Sequence, residues 1–151
     1  MAYVHLVERR ARFWLVGHDR YRNLVEQPEA APAWVQRLDL ERGERLLGVY
    51  TNVPDRIGRD FAVSTTILYL QSGDQVERLR YLDMVSFDGT TDGYHGENKR
   101  RLDRILIQMT DGRTMVVPVV GRSEDGLHRD AWSVYNFLLR AARESREGRV
   151  Y

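Results

Sequence analysis

Residues 60–87 read DFAVSTTILYLQSGDQVERLRYLDMVSF, and the period of that stretch is two. Phe61, Val63, Thr65, Ile67 and Tyr69 fall on one side of an extended backbone, because successive side chains of a strand point to opposite faces, and β-branched residues are frequent among them. The other side, Ala62, Ser64, Thr66, Leu68 and Leu70, is also uncharged. A strand with no charge on either face is predicted to be central, and it is expected to run unbroken over 60–70. Gln71-Ser72-Gly73-Asp74 suits a short turn into a strand over 75–82, and a further strand covers 84–87.

Outward from this run the strand pattern continues. Residues 45–52 precede it, and 102–109 and 114–121 follow, which makes six strands. The last two are joined by Thr110-Asp111-Gly112-Arg113, where Asp-Gly supplies the positive backbone angles of a tight hairpin. Pro118 has no amide to donate, so the sixth strand is expected at an edge or at its end. Hairpins without intervening helices exclude a parallel βαβ architecture and point to antiparallel pairing.

Helical periodicity appears only at the two ends. Over 126–146, Leu127, Ala131, Val134, Tyr135, Leu138 and Ala142 make a wide apolar stripe, with Asp130 or Ser123 placed to cap its start and arginines near its end. Over 6–26, Val7, Ala11, Trp14, His18, Tyr21 and Val25 recur at spacings of three and four, which predicts an amphipathic helix; Phe13-Trp14-Leu15-Val16 reads alternatively as a short strand. Pro28 and Pro32 mark a linker at about 27–33. Trp34, Val35 and Leu38 then form one helical turn, or an extended segment that packs onto the strand region that follows. The expected organisation is an N-terminal helical extension and linker, 1–33, and a mainly β domain with a C-terminal helix, 34–151.

Composition narrows the function. The 151 residues fit one domain, and with 42% hydrophobic and 30% charged residues the chain should fold without staples. Basic and acidic residues number 23 and 22, so no global field favours nucleic acid. Only Lys99 is lysine, which points to codon usage before phosphate recognition. The absence of cysteine excludes disulfides, thiolate nucleophiles and cysteine-ligated metal. The apolar run at 13–16 is too short for a signal core or a membrane span, so a cytoplasmic location is the expectation. No repeat, heptad seam, Walker loop or Gly-x-Ser-x-Gly elbow is present.

The strand textures Gly43-Glu44-Arg45-Leu46-Leu47-Gly48-Val49-Tyr50, Phe61-Ala62-Val63-Ser64-Thr65-Thr66-Ile67-Leu68-Tyr69 and Leu79-Arg80-Tyr81-Leu82-Asp83-Met84-Val85-Ser86-Phe87, in this order before a hairpin and an amphipathic helix, resemble bacterial pleckstrin-homology-like domains over residues 41–142. The resemblance implies a mainly β (α+β) fold, with strongly bent antiparallel sheets forming a seven-stranded barrel closed by the C-terminal helix. It also implies that the first inter-strand loop, with Arg56 and Arg59, is where lipid-binding relatives place basic residues; Asp55 and Asp60 blunt that patch here.

The densest basic cluster is Lys99, Arg100 and Arg101 with Arg104, read as a face for an acidic partner or as charges guarding a strand against edge pairing. The loop 88–98 carries His95 with Asp88, Asp92 and Glu97, without the spacing of a calcium loop. His128, Asp130 and Ser133 crowd one helix and lack the convergence that nucleophilic catalysis needs. No catalytic residue, metal site or cofactor is expected. Trp14 and Trp34 are expected to mark an interface, and the N-terminal helix a contact with a protein partner or a second copy. The leading expectation is a non-enzymatic interaction or scaffolding module that takes a peptide at a sheet edge. A peripheral membrane sensor for anionic head groups using Arg56 and Arg59 is the second reading, and a small-molecule binder or enzyme the third.

Overall fold

The structure, a computed structural model, describes residues 5–52, 59–88, 103–121 and 129–148. It is an α+β arrangement of two antiparallel sheets and a C-terminal helix. The elements are α1 (Leu6–Trp14), β1 (Tyr21–Asn23), a 3-10 turn (Pro28–Ala30), α2 (Ala33–Gln36), β2 (Leu46–Tyr50), β3 (Phe61–Ser64), β4 (Ile67–Ser72), β5 (Gln75–Arg80), a second 3-10 turn (Tyr81–Asp83), β6 (Met84–Asp88), β7 (Arg104–Met109), β8 (Thr114–Pro118) and α3 (Arg129–Glu147). One sheet has the order β1-β2-β3-β4-β5 and the other β6-β7-β8.

The strand expected over 60–70 is two strands. At Ser64 the buried hydroxyl accepts the amides of Thr66 at 3.2 Å and Ile67 at 3.0 Å, the local side-chain competition by which serine favours a turn. The chain reverses, and Phe61 pairs with Leu70, Ala62 with Tyr69 and Val63 with Leu68. This corrects the expected alternation. Phe61, Val63, Leu68 and Leu70 belong to the main core, whereas Ala62, Ile67 and Tyr69 lie in a second apolar cluster with Leu24, Ala31, Val35 and Val49. The strand count of six is likewise corrected to eight among the described residues. The two additional strands are the second half of the 60–70 run and β1.

The helix expected over 6–26 ends at Trp14. Its start is capped by His5, whose Nδ1 accepts the Val7 amide at 3.1 Å, and its last turn closes on Leu15. Gly17 then takes φ +110°, a left-handed turn open to glycine. Tyr21 to Asn23 pair antiparallel with β2 and extend the sheet. The helical spacing of His18, Tyr21 and Val25 is therefore coincidental. Val7, Ala11 and Leu15 enter the main core beside Val134, Phe137, Leu138 and Ala141 of α3. The proline-bounded stretch also packs: Ala31 and Val35 are buried over the outer face of the five-stranded sheet, with Trp34 half-buried beside them.

Other expectations hold. Thr110–Arg113 is a tight turn, with Gly112 at φ +90° donating its amide to the Met109 carbonyl at 3.0 Å. Pro118 is the last residue of the edge strand β8. The apolar stripe of α3 is buried at Ala131, Val134, Leu138 and Ala142, joined by Phe137, which meets Tyr81 edge-on at 5.9 Å. Among the described residues no helix is long and apolar enough to cross a membrane.

β1 lies so close on β2 that the Tyr21 ring crosses Gly48, where a Cβ would overlap it. Gly48→Ala is therefore expected to destabilise the protein by about 1–3 kcal/mol, the usual penalty of overpacking. In urea denaturation the loss should shrink when Tyr21→Ala is added; additive effects would disprove the clash.

Candidate functional site

Two acids stand at the ends of one buried row of α3. Asp130, Val134, Phe137, Ala141 and Glu144 follow spacings of four and three, and all five side chains are buried. Carboxylates out of water need partners, and the two ends obtain them differently.

Asp130 is fully engaged. Its Oδ2 accepts the Tyr50 hydroxyl at 2.7 Å, and its Oδ1 lies 2.9 Å from His18 Nδ1. The Gly121 amide donates to the Tyr50 oxygen at 3.0 Å, an approach that leaves no room for a Cβ on Gly121. Beside this cluster, the Asn52 side chain donates to the Arg59 carbonyl at 2.7 Å and accepts the Val120 amide at 3.0 Å, and the Asn52 backbone amide donates to Asp60 Oδ1 at 2.8 Å. Arg20 donates to the Thr51 and Asn52 carbonyls. The turn after α1, the end of β2, the chain beyond β8 and the first turn of α3 are stitched together here. The hydrogen bond to Asp130 raises the His18 pKa against the opposing effect of burial. Burial would raise that of Asp130, but hydrogen bonds from His18 and Tyr50 outweigh it and the net shift is down.

Glu144 is half engaged. Only 4% exposed, it receives Arg10 Nε on Oε1 at 2.7 Å, while Oε2 has no hydrogen-bond partner among the described residues. An unfilled buried acceptor costs about 1–3 kcal/mol. Glu144 lines an open groove of about 240 Å³ together with His5, Thr65, Thr66, Arg80, Leu82 and Ser145. Burial lowers the His5 pKa, partly opposed by Glu144 and Glu8, and its Nδ1 is used as the α1 cap, so the neutral ring carries its proton on Nε2. Arg80 is taken up by Glu41, with one contact at 3.2 Å. Leu82, 54% exposed, supplies the apolar wall. The groove thus combines hydroxyls and an aliphatic surface beside a buried carboxylate.

Of the residues expected from sequence, Arg56, His95, Lys99, Arg100 and Arg101 lie outside the described residues, as do the loop positions Asp92 and Glu97. Arg59 is exposed, with φ +78°, and its carbonyl holds Asn52. His128 and Ser123 also lie outside, and Asp130 has found its histidine in His18, from the opposite end of the chain. Trp14 is half-buried against the main core; the exposed aromatic is its neighbour Phe13, at 75%. Among the described residues no group of three or more histidines and acids could hold a metal. The residues missed, His5, His18, Leu82 and Glu144, had one signal in the sequence: acids interrupting the apolar row of α3 at both ends.

No protein-family model, curated protein or solved structure matches this chain.

The His18–Asp130 pair makes stability depend on pH. The histidine, raised above its ordinary value of 6.5, contributes fully below that pH and loses its contribution as pH rises through the folded value. The aspartate, lowered from 3.8, contributes above that value and loses its share as pH falls through the folded one. His18→Gln should therefore cost about 1–2 kcal/mol between roughly pH 4 and 6.5 and less at pH 8.5. Urea melts of both proteins across this range test it, and the His5 contribution cancels in the difference. A loss independent of pH would refute the ion pair.

Proposed function

We propose that this chain is a non-enzymatic interaction module that seats a short segment of a partner protein in the groove at His5, Leu82 and Glu144. The carrying observation is the buried, unpartnered Oε2 of Glu144 in a residue that lines an open groove. The surroundings suit an extended segment. β5 and β6 are the terminal strands of their sheets and are joined by Tyr81–Asp83, so two sheet edges meet where Leu82 lines the groove and Val85, 52% exposed, follows it. An edge strand offers main-chain donors and acceptors to an added strand, while side-chain pockets give selectivity.

The pleckstrin-homology-like reading accords with this function. Seven of the eight strands among the described residues, β2 to β8, lie in two antiparallel sheets followed by a helix, an order that supports this reading. In this reading the two sheets bend toward a barrel with α3 over one open end, and β1 with α1 is an addition at the first strand. A fold of this kind hosts many ligands, so the seat is argued from the groove alone.

Peptides selected on the wild-type protein from a displayed random library are expected to lose at least tenfold in affinity on Leu82→Asp, a change of about 1.4 kcal/mol or more. They should be indifferent to Val116→Asp, at an exposed apolar position of β8. Selected peptides that bind Leu82→Asp as tightly as wild type would remove the groove from consideration.

A further inference from the structure

We infer that α1 is a strap: it lifts off α3 as a unit while both sheets stay folded, and the contact between His18 and Asp130 is a clasp that holds it down in weak acid and loosens as pH rises. The inference does not depend on the groove being a seat, but it bears on it, because His5 begins the strap and lines the groove.

The main chain of the N-terminal segment bonds only to itself. Among the described residues, every backbone hydrogen bond of residues 5–18 has its partner at or before Tyr21, and the first to reach another element is the Thr51 amide on the Arg20 carbonyl at 2.9 Å. α1 is therefore attached by side chains alone. Val7, Ala11 and Leu15 enter the main core and Trp14 packs against it, a short apolar row that includes one alanine. Ion pairs flank that row: Arg10 with Glu144 at 2.7 Å and Glu8 with Arg45 at 3.3 Å. Gly17, at φ +110° with nothing standing where a Cβ would be, lies between the helix and β1 and is free to absorb a change of backbone angle. Elements with few buried contacts open below the free energy of the whole fold.

The clasp closes the far end. His18 Nδ1 lies 2.9 Å from Asp130 Oδ1 on the first turn of α3, and the other Asp130 oxygen takes the Tyr50 hydroxyl of β2. Tyr50 stays neutral because burial pushes its pKa up. Asp19 and Arg20 are the charged groups beside His18 in its own turn; Asp19 adds to the attraction for a charged ring, and Arg20 is bound to the Thr51 and Asn52 carbonyls. Arginine holds its charge across this range, so histidine is the member of these pairs that titrates near neutrality. Raised above 6.5 by the Asp130 hydrogen bond, the ring is charged and clasped in weak acid, and the ion pair is lost as pH rises through the folded value. His5, lowered by burial, caps α1 as a neutral ring through the same rise.

Native-state hydrogen exchange of the full chain, read amide by amide by nuclear magnetic resonance in low concentrations of urea, tests both parts. The amides of Arg10 to Leu15 are expected to share one protection factor, about tenfold or more below that of the paired amides of Phe61 to Leu70. Their urea dependence should be less than about half as steep, because a lifted strap exposes little surface. Between about pH 6.5 and 8.5, with intrinsic exchange corrected, protection of α1 should fall about threefold or more, and His18→Gln should remove that fall. Equal protection and equal urea dependence in α1 and the β3–β4 hairpin would mean that the helix opens only with the whole molecule, which overturns the strap. Protection that declines from the middle of α1 toward its ends would denote fraying and overturn it as well. A separate opening that does not change with pH overturns the clasp, and so does a fall that survives in His18→Gln. The pH series on unmodified protein decides the clasp even if this variant folds poorly.

Discussion

The buried hydroxyl of Ser64 is the contact on which the arrangement of the sheets depends. By accepting two successive amides it turns ten uncharged residues that would otherwise continue as one strand into a hairpin. The reversal is locked from three sides. The Tyr81 hydroxyl donates to the Ser64 carbonyl at 2.8 Å, the Glu44 carboxylate contacts the Ser64 hydroxyl and takes the Tyr69 hydroxyl at 2.6 Å, and Thr65 exchanges hydrogen bonds with Arg45. Because side chains alternate along a strand, the position of the turn decides which residues face inward. Phe61 and Val63 meet Leu68 and Leu70 in the main core, and Ala62, Ile67 and Tyr69 form the outer cluster that the segment from Leu24 to Leu38 covers. The same turn carries Thr65 and Thr66 to the groove.

Features that rest on local chemistry were legible in the sequence. Asp111-Gly112 makes its hairpin because the positive φ is a property of glycine, and the wide stripe of α3 is buried because so large an apolar face has no other recourse. The turn at Ser64 was not legible, since Ser-Thr-Thr lacks the glycine, proline or asparagine that usually marks a reversal and its threonines look like strand interior. β1 was read as helix because three residues happened to keep helical spacing across Gly17. The packing of Val35 on the strand region was among the readings, but the burial of Ala31 within the proline-bounded linker was hidden, for nothing within 27–33 says which surface it meets.

The candidate site shows a related limit. Charge density drew attention to Lys99, Arg100 and Arg101, whereas the polar groups that the described structure brings together are sparse in sequence and meet only through folding. His18 reaches Asp130 and Arg10 reaches Glu144 across nearly the whole chain. The two acids of α3 have opposite status. Asp130, filled by tyrosine and histidine donors, acts as a fastener between elements, while Glu144 keeps one buried oxygen without a hydrogen-bond partner among the described residues. A carboxylate set into an apolar helical row is the trace of both.

The pairing of α1 with α3 also governs the order in which the chain can fold. Arg10 and Glu144 are separated by 134 positions, and Val7, Ala11 and Leu15 find their main-core neighbours Phe137, Leu138 and Ala141 only when the last helix exists. A nine-residue helix is marginal by itself in water, and non-local contacts bear the entropy of closing a long loop before they reward it. During vectorial synthesis, α1 must therefore wait with its apolar face uncovered while both sheets are being made. A helix that leaves the ribosome before either sheet is among the last elements to be buried.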